Sequence, residues 1–279
     1  MMAPSAGPAP LIVCRGLGHI YPGGVEALRG VDLTVYDGDV VGVIGRNGSG
    51  KTTLAKHFNG LLKPTSGEVL VKGRPTRGRK ICDLSRDVGY VFQNPDEQLF
   101  LPSIEAEVNY GPTNIGMPEA ERAEIVERVL RELGLSEKRQ VHPFRLSTLE
   151  RKMLSIACVL AMKPQVIVFD EPTTGQDVIQ TRAVMNLLHE FSRAGHTLAI
   201  ISHDMALVAE YCSRVVVMSR GCLLADGPPA EISSRREALE QAGVEPPDIA
   251  QMGMRLGLPR PVLSVAEMQS QLRAHSPAD

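Results

Sequence analysis

One run of eight residues, Gly45-Arg46-Asn47-Gly48-Ser49-Gly50-Lys51-Thr52, constrains this chain more than any other feature. It fits G-x-x-x-x-G-K-[ST] at every fixed position and lies between a short apolar run, Asp39 to Ile44, and a segment of helical character from about Lys51. Backbone N–H groups can wrap an anion only where side chains leave room, which is what the glycines secure. The N-terminus of the following helix adds the positive end of its dipole. Lys51 brings a mobile charge suited to β- and γ-phosphates, and Thr52 brings a hydroxyl suited to Mg²⁺. The phosphate-binding stretch is expected to run from Gly45 through Thr53.

A second apolar run, Val166 to Phe169, ends in Asp170-Glu171. A continuous apolar strand is expected where a parallel sheet is covered on both faces. Acids at its C-terminal end fall where open α/β sheets bind their ligands. Asp170 suits direct or indirect Mg²⁺ ligation, and Glu171 suits polarising an attacking water. Further strands are read at Leu11 to Leu17, Val31 to Val35, Val88 to Phe92, Thr197 to Ser202 and Arg214 to Met218. From about Ser103 to Ala161 the pattern is helical, with Ile125, Val129, Leu130 and Leu133 at helical spacing. The expectation is an α/β domain over 11–233 with a helical insertion at about 95–162. Before it stands a Pro/Ala/Gly-rich tail at 1–10, read as disordered. A proline-interrupted helical extension follows over 234–279, with short helices at Ile249 to Leu256 and Val265 to Leu272.

Composition removes several classes of function. A formal net charge of −2 offers no basic field for nucleic acid. The absence of Trp, with 4% aromatic residues, disfavours a carbohydrate cleft or a base-stacking surface. Five cysteines never form C-x-x-C, which disfavours a zinc site or disulfide framework and fits a reducing cytosol. No apolar run approaches a bilayer span, and the first ten residues lack the pattern of a secretory signal.

Many folds share a P-loop and an acidic strand end. The order P-loop, Gln93, Leu146-Ser147, Asp170-Glu171-Pro172, Thr174-Gly175-Gln176-Asp177 and His203 is more specific. It resembles the ATP-binding-cassette (ABC) family over about Leu11 to Glu231. The resemblance implies a P-loop NTPase of ABC type with ATP and Mg²⁺ as cofactors. It implies adenine stacking on Tyr21, and phosphate contacts from Gly45, Arg46, Asn47, Gly48, Ser49, Gly50, Lys51, Thr52 and Thr53. Metal contacts would come from Thr52, Gln93 and Asp170, and catalysis from Glu171, His203, Lys51 and Gln93. Asp177 falls in the loop that meets a second subunit. The stretch from Val91 to Phe100 is similar to the corresponding loop of energy-coupling-factor (ECF) importers, which carry vitamins, Co²⁺ or Ni²⁺. The tail from Gly243 to Leu272 resembles their C-terminal extension.

One segment departs from the family. Where the pattern is Leu-Ser-Gly-Gly-Gln, this chain has Leu146-Ser147-Thr148-Leu149-Glu150. In the family this signature closes on the ATP of a second cassette. Thr148 and Leu149 put Cβ atoms where the backbone should approach a phosphate, Glu150 puts a negative charge there, and only Ser147 keeps its role. The site that this segment closes is expected to be slow or inert. The resemblance implies a second cassette as partner, either a different chain with an intact signature or a second copy. It also implies a membrane coupling subunit and a substrate-binding membrane subunit, at the cytoplasmic face of the membrane. Another ABC importer or exporter remains open, separable by what co-purifies. So does a non-transport regulatory cassette, which coiled-coil or basic insertions, absent here, would favour.

Overall fold

The computed structural model describes residues 8–275. The elements in chain order are β1 (Pro10–Ile20), β2 (Glu26–Tyr36), β3 (Val40–Ile44), α1 (Lys51–Phe58), β4 (Ser66–Val71), β5 (Arg74–Pro75), α2 (Ile81–Leu84) and β6 (Val88–Val91). Then come three helices without an intervening strand, α3 (Ile104–Asn114), α4 (Glu119–Glu132) and α5 (Thr148–Leu160). The chain continues through β7 (Val166–Asp170), α6 (Val178–Arg193), β8 (Thr197–Ser202), α7 (Met205–Tyr211), β9 (Arg214–Ser219) and β10 (Cys222–Gly227). It ends with α8 (Pro229–Ser234), α9 (Arg236–Ala242), α10 (Asp248–Arg255) and α11 (Val265–His275).

Two sheets result. A six-stranded sheet has the order β10-β9-β3-β8-β7-β6, parallel except for the edge strand β10. A four-stranded antiparallel sheet has the order β2-β1-β4-β5. Strand periodicity explains how they stack, because successive residues face opposite sides. Val41 and Val43, Val166 and Val168, Ala199 and Ile201, and Val216 and Met218 share one core with α1 and the antiparallel sheet. Their neighbours Ile167 and Phe169, Leu198 and Ile200, and Val215 and Val217 enter a second core with α5, α6, α7 and α9. Every residue of β7 and β8 is therefore buried, which is why these strands read as unbroken apolar runs.

Strands β4, β5 and β10 are not legible in the sequence. β5 is two exposed residues, β10 is a mostly half-buried edge strand, and β4 buries only alternate residues, so none presents a continuous apolar run. The strand read from Leu11 opens one residue earlier, at Pro10, whereas residues 1–7 of the proposed tail lie outside the described residues. The C-terminal extension is less separate than its sequence suggests. Leu239, Ala242 and Val244 join the main core, and the peptide N–H of Arg46 donates to Ala242 O at 3.0 Å. Only α10 and α11 pair apart from it, around Ala250, Gly253, Val262 and Met268. No helix among the described residues is long and apolar enough to cross a membrane.

Candidate functional site

The loop between β3 and α1 is shaped by glycines with left-handed backbone. Gly45 has φ of 153°, and a Cβ there would meet Met218 O at 2.3 Å. Gly50, the N-cap of α1, has φ of 103°, and a Cβ there would meet Ala27 O at 2.7 Å. Among the described residues no side chain caps α1, so its first N–H groups are left for a ligand. The Lys51 ammonium folds back, donating to the carbonyls of Gly45 at 2.6 Å and Arg46 at 3.2 Å. Burial pulls its pKa down, against the opposing fields of Glu171 and Asp170.

Parallel pairing of β3 with β8, and of β8 with β7, brings the acidic end of β7 beside this loop. Asp170 is 4% exposed and accepts two hydroxyl hydrogens, from Thr52 at 3.0 Å and from Tyr90 at 2.7 Å. These are hard oxygen donors of the kind a small divalent cation takes. Glu171 adopts φ of 46°, a left-handed conformation that costs a non-glycine residue about 1–2 kcal/mol. Its own N–H is held by Ile201 O at 2.9 Å. That turn aims the nearly buried carboxylate at His203, whose Nδ1 lies 2.9 Å from Oε2. His203 follows β8 directly, and its side chain is 61% exposed.

These groups surround a cavity of about 440 Å³ lined by Tyr21, Asn47, Gly48, Ser49, Gly50, Lys51, Thr52, Thr53, Gln93, Glu171, Thr174 and His203. Tyr21 stands at the rim with its hydroxyl 3.1 Å from Thr53 Oγ1. Ser49 Oγ is buried without a partner among the described residues, a polar atom available to a bound anion. Asp170 lies beneath the cavity rather than in its wall. Gly45 and Arg46 are not in the lining. The Arg46 backbone bonds to α9, and its side chain runs past Gly243, where a Cβ would meet Arg46 Cδ at 3.4 Å. Asp177 is also elsewhere, as the N-cap of α6, accepting from Gln180 N at 2.8 Å.

The segment from Leu146 to Glu150 takes no part in this chain's own cavity. Leu146 is buried, and Ser147 is the N-cap of α5. Glu150 closes a capping box: its Oε2 accepts from Ser147 N at 2.9 Å and from Ser147 Oγ at 2.8 Å. The Lys138 ammonium pairs with the same carboxylate, and together these contacts hold the Glu150 carboxyl down at about 2. The Ser147 hydroxyl is thus engaged within its own helix. Leu149 packs on the main core.

Sequence reasoning missed Tyr90 and Lys152, and it gave Thr174, which lines the cavity, no role there. Tyr90 is a strand residue like its neighbours, and only the pairing of β6 with β7 reveals that it faces Asp170. Burial and the Asp170 charge push its phenol pKa well up. Tyr90→Phe leaves Asp170 with one donor fewer. The expected loss is about 1.5–3 kcal/mol of stability, as for a hydrogen bond to a charged group, read by denaturant melts at neutral pH.

A glycine-rich cradle opening a helix, with an acidic strand end beneath it on a parallel sheet, defines a P-loop nucleotide-binding protein. More narrowly, the chain belongs to the ATP-binding-cassette family, since residues 28–174 match the ABC transporter family. It is 40% identical over 244 residues to the energy-coupling factor transporter ATP-binding protein EcfA of Methanocaldococcus jannaschii, covering 87% of this chain and 88% of that protein. It is 39% identical over 260 residues to a putative ABC transporter ATP-binding protein of Caldanaerobacter subterraneus, covering 93% of this chain but 45% of that relative. The chain thus spans about half the length of some curated relatives. Among solved structures, cbiO1 of Clostridium perfringens, described as part of the ABC transporter complex cbiONQ, superposes with a TM-score of 0.74 at 32% identity. That match covers 89% of this chain and 99% of cbiO1.

Proposed function

We propose that this chain is the ATP-hydrolysing subunit of an ECF-type importer for a vitamin or transition-metal ion. The observation that carries the reading is the Glu171–His203 pair standing over the P-loop in one cavity. In this reading adenine stacks on Tyr21, and the loop from Asn47 to Thr53 holds the phosphates, with Gly45 and Arg46 shaping it from outside the cavity. Mg²⁺ would be held by the oxygens of Thr52, Asp170 and Gln93, and when bound it would neutralise phosphate charge. Glu171 orients and deprotonates the attacking water. His203, fixed through Nδ1, and Lys51 stabilise charge on the γ-phosphoryl group. The cassette would span 11–233, with its helical part at about 95–162 and the extension at 234–279.

A hydrolytic site of this family needs a second cassette, and Asp177 and the exposed Val178 and Ile179 supply a surface for one. The altered segment from Leu146 to Glu150 makes a different chain with an intact signature the better partner. A groove of about 400 Å³ between the Gln93 loop and α3 suits a membrane coupling subunit, beside which a substrate-binding membrane subunit selects the cargo. Phe100 and Tyr110 at its edge are 62% and 46% exposed and meet edge to face at 5.1 Å. The chain would then sit at the cytoplasmic face of the membrane.

Affinity purification of the tagged chain from detergent-solubilised membranes tests this. Recovery of a polytopic partner together with ATP-dependent uptake supports the reading, whereas a chain recovered with no membrane protein contradicts it. Phe100→Asp should reduce that recovery by tenfold or more (about 1.4 kcal/mol or more), since it places a charge in an apolar contact.

A further inference from the structure

Lys152 lies on α5, five residues beyond the Ser147 cap, and is 1% exposed. A lysine so deeply buried ordinarily has a carboxylate partner. None lies within ion-pair distance among the described residues; the favourable charge that acts on it from farther off is that of Asp170. The ammonium instead donates to two consecutive peptide oxygens, Phe92 O at 3.2 Å and Gln93 O at 2.7 Å. The next turn of α5 repeats the attachment. Gln98 Nε2 donates to Ser155 O at 2.7 Å, while Gln98 Oε1 accepts from Phe92 N at 3.3 Å. Both peptide groups that flank Phe92 are therefore held, one through Lys152 and one through Gln98. Arg151 adds a looser pairing with Asp96 at 3.6 Å.

We propose that Lys152 is a positioning residue of the ATPase: by holding the peptide oxygens of Phe92 and Gln93 it fixes the Gln93 side chain at the mouth of the nucleotide cavity. It does so from the helix whose N-terminus is the signature segment, so that segment and Gln93 move as one body. The desolvation of the ammonium is offset by carbonyls that cannot be replaced without releasing the loop. A purely structural lysine could be exchanged for an apolar residue of similar volume at little cost, or with a gain in stability. The inference rests on the assignment of Gln93 to an ATPase site.

The test compares wild type, Lys152→Met, Gln93→Ala and the double variant in the full-length chain, each in complex with a cassette that carries Leu-Ser-Gly-Gly-Gln. Two readouts are used: steady-state turnover of Mg-ATP, and amide hydrogen exchange over residues 92–98. Lys152→Met is expected to raise exchange in that segment. It should also lower kcat by roughly tenfold to 100-fold with KM for ATP changed less than about twofold, the scale of a small misplacement in a catalytic constellation. Gln93→Ala in the Lys152→Met background should cause no further loss, and Lys152→Arg, which keeps the charge and donors, should recover most of the turnover. Unchanged exchange, unchanged kcat, or losses that multiply in the double variant would overturn the proposal. Should Lys152→Met not yield folded protein, Lys152→Gln, with one amide donor and no charge, is read by the same two measurements. A wild type that hydrolyses no ATP even beside a cassette with an intact signature would refute the ATPase reading, whereas the exchange readout would still decide whether Lys152 holds the loop.

Discussion

Glu171→Gln should bind Mg-ATP with an affinity close to that of the native chain and lose about 10²–10⁴ of its turnover, the range of a general base. The substitution is nearly isosteric. It keeps an oxygen to accept from His203 and keeps the turn at φ of 46°, so the cavity and its phosphate contacts stay in place. What it removes is the acceptor for the water's proton. Binding is read with a fluorescent ATP analogue and turnover by phosphate release. Turnover within threefold of the native value would take Glu171 out of the chemistry and move the base to another group, His203 first.

The second large effect lies at α5. Thr148→Gly with Leu149→Gly should raise the ATPase rate of the purified chain by about 10²-fold, the scale of regaining one preorganised donor toward developing charge. The gain arises in self-dimers, where each signature closes the other chain's cavity. Leu149 packs on the main core, so the double variant also loses stability, and thermal melts must show that the protein remains folded at assay temperature. The Glu150 cap is left intact in this variant, because it anchors the start of α5 through Ser147 and Lys138. A folded double variant with an unchanged rate would mean that helix N–H groups alone suffice and that the missing glycines are not what limits this chain.

The phosphate cradle was legible because its physics is local. Glycines at left-handed positions, a lysine and a hydroxyl need only a strand before them and a helix after. The acidic end of β7 was legible for the same reason, as an apolar run stopped by carboxylates. Arg46 shows the limit of that reasoning. It sits inside the motif, yet its N–H is bonded to α9, almost two hundred residues away in sequence, and its side chain faces the extension rather than the cavity. Tyr90 and Lys152 show the same limit from the other side. Neither belongs to a recognisable pattern, and each acquires its partner only when β6 packs beside β7 and α5 crosses the Gln93 loop. The signature segment was read as a loss of glycines. The structure adds the Glu150 capping box, which engages the one hydroxyl that the sequence reading had left for a phosphate.

In the proposed reading this chain carries one competent half-site, its own P-loop cavity, and one impaired half-site, the segment from Leu146 to Glu150. The most direct test counts working sites in a complex of this chain with a cassette that carries Leu-Ser-Gly-Gly-Gln. With both cavities loaded with radiolabelled ATP, a single-turnover burst should release one phosphate per complex, and Glu171→Gln in this chain alone should abolish that burst. A burst of two phosphates per complex, or one that survives the substitution, would contradict the account.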